Sequence, residues 1–235
     1  MLAQRLRAVR QTLHDLGILY KQMGNPEKAE LHYLEALAIR EKVLGKEHPS
    51  YAATLYNLGN LYLDMGNYEK AERYYLEALA ILEKVLGKEH PDYAASLHNL
   101  GAVYRRMGNY EKAQPLYQRA LSIREKVLGP EHPDTATSFG DLALLYHKMG
   151  NYSKAEPLFQ RALSIRENVQ GPEHPNTATS LNSLADLHHS MGNYMKAEPL
   201  NQQALGIWEK VLGPEHRLTA TSLNNLAFLY NEMGN

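Results

Sequence analysis

The chain has eleven histidines and no cysteine. Metal binding or nucleophilic chemistry would therefore fall to imidazoles, carboxylates and hydroxyls. Five histidines, His48, His90, His132, His174 and His216, recur at intervals of 42 residues. Neighbours in that series would stand roughly two helix diameters apart, too far to share an ion through ~2.0–2.1 Å bonds. They read as structural parts of a Glu-His-Pro loop. His147, Asp186, His188 and His189 form a closer set, drawn from adjacent helices; the expectation is still no metal and no cofactor. Arg105, Arg106 and Lys148 could receive carboxylates. Catalysis has no support: no serine is spaced with an evident base, and the glycines do not form a phosphate loop. The chain reads as a non-enzyme.

Those residues must be held by something, and an internal period supplies it. Met-Gly-Asn recurs at Met23, Met65, Met107, Met149, Met191 and Met233, every 42 residues and without insertion or deletion. Around residue 60, the spacing predicts a helix from Pro49 to about Met65, with Leu55, Leu58, Leu61 and Tyr62 on one face. Gly66 suits a left-handed C-terminal residue, and Asn67 an N-cap for a second helix reaching about Leu86. Gly87 ends that helix, and Pro91 opens the next. Gly17, Gly59 and Gly101 fall inside first helices, where later repeats have Ala143, Ala185 and Ala227, so the position calls for a small residue at a close helix contact. Sixteen tyrosines stand against three phenylalanines, and eight of them fill two repeated positions, Tyr20, Tyr62, Tyr104, Tyr146, Tyr230 and Tyr33, Tyr75, Tyr117, where a ring can be buried and its hydroxyl left wet. Pro115, Pro157 and Pro199 fall inside second helices and imply mild kinks.

A stacked array of helix pairs explains why 235 residues need not form one globular core. The 44% hydrophobic and 22% charged composition, with net charge -1, excludes a disordered chain and a strongly basic nucleic-acid binder. No apolar run approaches the ~18 residues of a membrane span. Arginines run through MLAQRLRAVRQTL, where a secretion signal would be apolar. The expected location is cytoplasmic, with no nucleic-acid or membrane partner.

The pattern Leu55-x2-Leu58-Gly59-x2-Tyr62 followed by Ala71-x3-Tyr75 and Ala78 resembles the tetratricopeptide repeat. The long 42-residue form, with Ser-Leu-Asn-Asn-Leu-Ala at 222–227 and Ala-Glu-Pro-Leu at 155–158, resembles the repeats of kinesin light chains. Leu13, Leu55, Leu97, Phe139, Leu181 and Leu223 stand where the family has tryptophan. The resemblance implies an all-α, right-handed superhelix of antiparallel pairs, about eleven helices in one array. Its units would be approximately 1–45, 46–87, 88–129, 130–171 and 172–213, with a half unit at 214–235. The unpaired last helix should leave Leu223, Leu226 and Phe228 open, as in a fragment, an engineered array or end-to-end stacking. Leu2, Leu6, Val9, Leu13, Leu16 and Tyr20 read as the stripe of a longer opening helix.

In that family the first helices line a concave groove. The corresponding positions here include Gln11, His14, Lys21, Tyr56, Asn60, Asp64, His98, Arg105, Arg106, His147, Lys148, Asn182, Asp186, His189, Asn224 and Glu232. Asn57, Asn99 and Asn225 resemble asparagines that hold an extended peptide's backbone, for which an amide is suited as both donor and acceptor. Basic residues at the centre and acidic ones toward the ends imply an acidic or carboxylate-ended peptide; kinesin light chain arrays take acidic peptides that carry tryptophan. The function expected is a non-enzymatic scaffold for a protein or peptide partner. The alternatives are a sensor or oligomerisation arm of a larger signalling protein, and an engineered array that self-assembles end to end.

The fifth repeat departs most from the pattern. His188 and Asn201 replace aromatics and either bond each other or mark an eroded repeat, and Gly206 weakens the second helix, which carries Asn201, by ~1 kcal/mol. Trp208 reads as a partly exposed surface residue.

Overall fold

A computed structural model describes the backbone of residues 2–234 and the side chains of residues 12–234. The side chains of Leu2, Leu6, Val9 and Gln11 lie outside the described residues. The described chain is eleven helices, and it contains no strand. They are α1 (Leu2–Gln22), α2 (Pro26–Leu44), α3 (Pro49–Asp64), α4 (Tyr68–Leu86), α5 (Pro91–Arg106), α6 (Tyr110–Val127), α7 (Pro133–Lys148), α8 (Tyr152–Gln170), α9 (Pro175–Ser190), α10 (Tyr194–Leu212) and α11 (Arg217–Met233). They fall into two compact units, Met1–Ile123 and Arg124–Asn235. Within each, consecutive helices pack against one another.

The repeated turns are hydrogen-bonded caps. In the Met-Gly-Asn turn, Gly66 takes φ +74° and the Asn67 backbone N–H bonds the Tyr62 carbonyl at 2.8 Å, a helix-ending pattern that needs a residue without Cβ strain. Asn67 Oδ1 then accepts from Lys70 N–H at 3.2 Å, so the residue that closes one helix starts the next. The five periodic histidines have the same task. His90 Nδ1 accepts from Asp92 N–H at 3.1 Å, and His48, His132, His174 and His216 do likewise for Ser50, Asp134, Asn176 and Leu218. Each precedes its helix as N-cap, and four are followed by proline at its first position. Three helices contain a proline yet continue through it, α6, α8 and α10.

The small-residue position is a direct contact. A Cβ on Gly59 would lie 2.7 Å from the Tyr75 ring, and one on Gly17 would lie 2.5 Å from Tyr33. Alanine enters at 143 and 185, where the corresponding second-helix residues are Phe159 and Asn201 instead of tyrosine.

Several expectations are corrected. The core tyrosines do not leave their hydroxyls wet. Tyr75 is fully buried and donates to Asn60 Oδ1 at 2.6 Å; Tyr62 and Tyr104 donate to Glu30 and Glu72 on the preceding second helices. A phenol costs little to bury only when its hydroxyl has a partner. His188 and Asn201 are both buried, but the described bonds do not join them: His188 Nε2 lies 3.8 Å from Glu156 Oε1, in the role of the missing tyrosine.

Trp208 is 2% exposed, packed on Ala178, Leu181 and Ala204. It is a core residue because its repeat position is interior: Arg40 and Arg124 are buried there too. Arg124 Nη1 bonds Ser138 Oγ at 2.7 Å and the Asp134 carbonyl at 3.2 Å. Arg166 bonds Ser180 Oγ at 2.8 Å and the Asn176 carbonyl at 3.2 Å. Of the last helix, Leu223 and Phe228 are open at 47% and 55%, whereas Leu226 is buried, because α11 turns that residue toward α10.

Candidate peptide-binding groove

In the first unit, α1, α3 and α5 present the residues assigned to the groove. Their amides bond from repeat to repeat. Asn57 Nδ2 donates to His14 Nε2 at 3.1 Å. Asn99 Nδ2 donates to Tyr56 Oη at 2.9 Å and to Asn60 Oδ1 at 2.7 Å, so Asn60 receives both Asn99 and the buried Tyr75. Burial, with the Arg40 guanidinium second, pushes the His14 pKa down to about 4, which keeps its Nε2 an acceptor at neutral pH. His98 is mostly buried and meets the Tyr117 ring edge-on at 5.1 Å. It supports the wall more than it lines it.

The cations stand on the last turn of α5. Arg105 Nε donates to Tyr117 Oη at 3.2 Å, and exposed Arg106 reaches the Leu63 carbonyl at 3.4 Å. Lys21 and Asp64 pair at 2.9 Å.

In the second unit, α7, α9 and α11 present His147, Lys148, Asn182, Asp186, His189, Asn224 and Asn225. Here too amides link repeats: Asn225 Nδ2 donates to Asn182 Oδ1 at 3.1 Å and to Asp186 Oδ1 at 3.4 Å, and Asn182 Nδ2 donates to Asp186 Oδ2 at 3.1 Å. Burial raises the Asp186 pKa to about 6 against the opposing pull of His189, the Asn182 bond and Lys148. His147 Nε2 lies 2.8 Å from Ser190 Oγ. That hydroxyl already donates to the Asp186 carbonyl, so the imidazole is the donor. Burial and Lys148 shift His147 downward. The His189 ring packs on Tyr194 and Phe228, with centroids at 5.4 and 5.3 Å. Lys148 and Asn224 are exposed.

His147, Asp186, His188 and His189 do not converge on one point. His188 points to Glu156 while its neighbour His189 faces the aromatics, as adjacent residues on a helix must. Among the described residues no group of three or more His, Asp or Glu side chains could hold an ion. No described helix is long and apolar enough to cross a membrane.

Two partners were missed in the sequence. One is the tyrosine behind the groove, Tyr75 or Tyr117, whose hydroxyl reaches Asn60 or Arg105. The other is the buried arginine, whose signal was available: Thr54, Ser138 and Ser180 each lie 14 residues after Arg40, Arg124 and Arg166.

The chain matches the tetratricopeptide repeat family over residues 8–84, 52–126, 92–168, 145–206 and 181–235. No curated protein matches it. Among solved structures, it is similar to a Podosopora anserina kinesin light chain with nearly identical TPR-like repeats (30% identity, 85% of this chain and 95% of that one, TM-score 0.71). It is also similar to BtubC (BKLC) from P. vanneervenii (27% identity, 90% and 84% coverage, TM-score 0.78). A Signal Transduction ATPase with Numerous Domains from Pyrococcus horikoshii, which has a tetratricopeptide repeat sensor, shares the fold at 21% identity and TM-score 0.76. The match covers 94% of this chain and 32% of that one. The capped turns, the glycine–tyrosine contacts within helix pairs and the family match along the described helices agree: the chain belongs to the tetratricopeptide repeat family, in a form similar to kinesin light chain repeats.

Proposed function

We propose that this scaffold binds an extended acidic peptide, without catalysis, along the first helices of its repeats. Tetratricopeptide repeat arrays are in general surfaces for protein–protein interaction, so the question is what this one selects. The observation that carries the reading is the last turn of α5, where Arg105 and Arg106 stand beside a row of amides, Asn57, Asn60 and Asn99, already fixed by bonds to their neighbours. Fixed amides lose little entropy on binding, Asn57 and Asn60 acting through an N–H and Asn99, whose two N–H groups are already used, through its carbonyl oxygen; guanidinium groups take carboxylates in forked pairs. Within the second unit, taken by itself, Asn182, Asn224 and Asn225 would offer contacts of the same kind to peptide backbone, with His147, Lys148 and His189 at the rim and Asp186 beneath them; in the first unit, Tyr56 and His98 would shape the wall. A cytoplasmic setting and the unit boundaries given above belong to the same reading.

The test is calorimetric titration of a decapeptide rich in Asp and Glu, with one Trp, into the full chain. Replacing Arg105 and Arg106 with Glu should weaken binding at least ~10-fold, since each charged hydrogen bond contributes about 1.5–3 kcal/mol. Unchanged affinity rejects the placement.

End-to-end self-association is the second reading, favoured by the open Leu223 and Phe228 of α11. It requires a sedimentation coefficient that rises with concentration and stops rising in Phe228→Ser.

A further inference from the structure

Positions 40, 82, 124, 166 and 208 are one repeat position near the end of the second helices. Arg40, Arg124 and Arg166 each reach the next first helix. Each donates to a first-turn carbonyl, of Ser50, Asp134 or Asn176, and to the hydroxyl four residues on. Trp208 fills the same place with its rings. Leu82 has neither the reach nor the bulk, although α5 keeps the acceptors in register: Ser96 Oγ sits 3.0 Å from the Asp92 carbonyl. A cavity of about 250 Å³ opens at this point, bounded by Pro49, Ala53 and Tyr56 of α3, Leu82 of α4, and Asp92 and Ser96 of α5.

We propose that this cavity takes the arginine side chain of a bound peptide, which supplies from outside the guanidinium that the repeat lacks. Its methylenes would lie on the alanine, proline and tyrosine surfaces. Its fork would donate to the Asp92 carbonyl, as Arg124 donates to that of Asp134, and to the Asp92 carboxylate at the mouth. That carboxylate is 67% exposed, and the nearest imidazole nitrogen, His90 Nδ1 at 3.7 Å, is already the acceptor of the Asp92 backbone N–H. Ser96 is fully buried, so its hydroxyl joins when Leu82 turns aside. An indole fits this polar pair poorly: at Trp208 the Nε1 has no partner, and Ser222 bonds the Asn201 carbonyl instead. A lysine ammonium gathers its three donors on one atom and matches the two separated Asp92 acceptors less well than a planar guanidinium does. Tyr56 borders both this cavity and the proposed groove, but the inference is tested separately from the acidic-peptide reading, because the acceptors of Asp92 lie on the first turn of α5 while Arg105 and Arg106 lie at its opposite end.

The test is an amide NMR titration of the full chain with N-acetyl-arginine amide, compared with the citrulline, lysine and tryptophan analogues. The expected result is saturable shifts centred on Ala53, Ala95 and Ser96, with the arginine probe at least ~5-fold tighter than the other three, as expected of a charged fork. Leu82→Arg, which fills the cavity from within, should abolish the shifts. Asp92→Asn, a change at an exposed side chain, should weaken them and serves if Leu82→Arg does not fold. Equal or tighter binding of the tryptophan or citrulline probe overturns the proposal, as does an absence of localised shifts or wild-type affinity in Asp92→Asn.

Discussion

Asp186 offers a prediction whose sign and size both follow from its surroundings. Its carboxyl is largely withdrawn from water and titrates at about 6 in the fold, against an ordinary value of 3.8. Below pH 3.8 both states carry the proton and the group contributes nothing to pH dependence. Between 3.8 and about 6 the unfolded chain has lost its proton while the folded chain keeps it. The folded state then binds more protons, and stability falls as pH rises. Above 6 the loss levels off. A shift of roughly two units at 1.36 kcal/mol each gives about 3 kcal/mol. Asp186→Asn carries no charge, so it removes the penalty; its single Oδ1 can replace one of the two oxygens that accept from Asn182 and Asn225, and the loss of the other bond is the same at every pH. Relative to wild type, the variant should gain about 3 kcal/mol between pH 3.5 and pH 8. Urea unfolding at both pH values, followed by helical circular dichroism, measures that difference, and a carbon-13 carboxyl titration measures the pKa itself. A variant that is equally altered at both pH values, or an Asp186 that titrates near 4, would refute the reasoning.

The glycine–tyrosine contacts predict a graded series: Gly59→Ala should cost about 1–3 kcal/mol by overpacking. Gly101→Ala, whose new Cβ would meet Tyr117 at 3.3 Å rather than 2.7 Å, should cost less; equal losses in thermal unfolding contradict the geometry. His90→Ala should lose about 1 kcal/mol as a helix cap, His90→Asn should recover most of it, and EDTA should leave wild-type melting unchanged. His188→Tyr should restore the hydroxyl–glutamate bond made by Tyr62 and Tyr104, raising stability by about 1 kcal/mol. Amide exchange should be faster in the fifth repeat than in the second and third, and equal protection throughout would show that its buried His188 and Asn201 carry no local weakness.

The sequence by itself determined what is local and repeated. Period, helix limits and turn chemistry depend on residues within about five positions of each other, so Met-Gly-Asn, the Asn caps and the prolines could be read in order along the chain. The small-residue position was legible as well, because glycine gives way to alanine at a fixed register. The tertiary structure decided which side chains face each other across helices. Gly59 needed Tyr75 at 2.7 Å to become a contact, and Tyr75 needed Asn60 to occupy its hydroxyl. Arg124 and Trp208 look like surface residues in a linear pattern, yet their position is interior. Only the next helix shows why the arginine is tolerated there: it supplies a carbonyl and a hydroxyl, and a buried guanidinium without them would be costly. Asp186 changed most. In sequence it is one more groove charge, and in the fold burial holds its pKa at about 6 against the amide and cations that favour its charge, because burial acts through distance in space and carries no mark in the chain order.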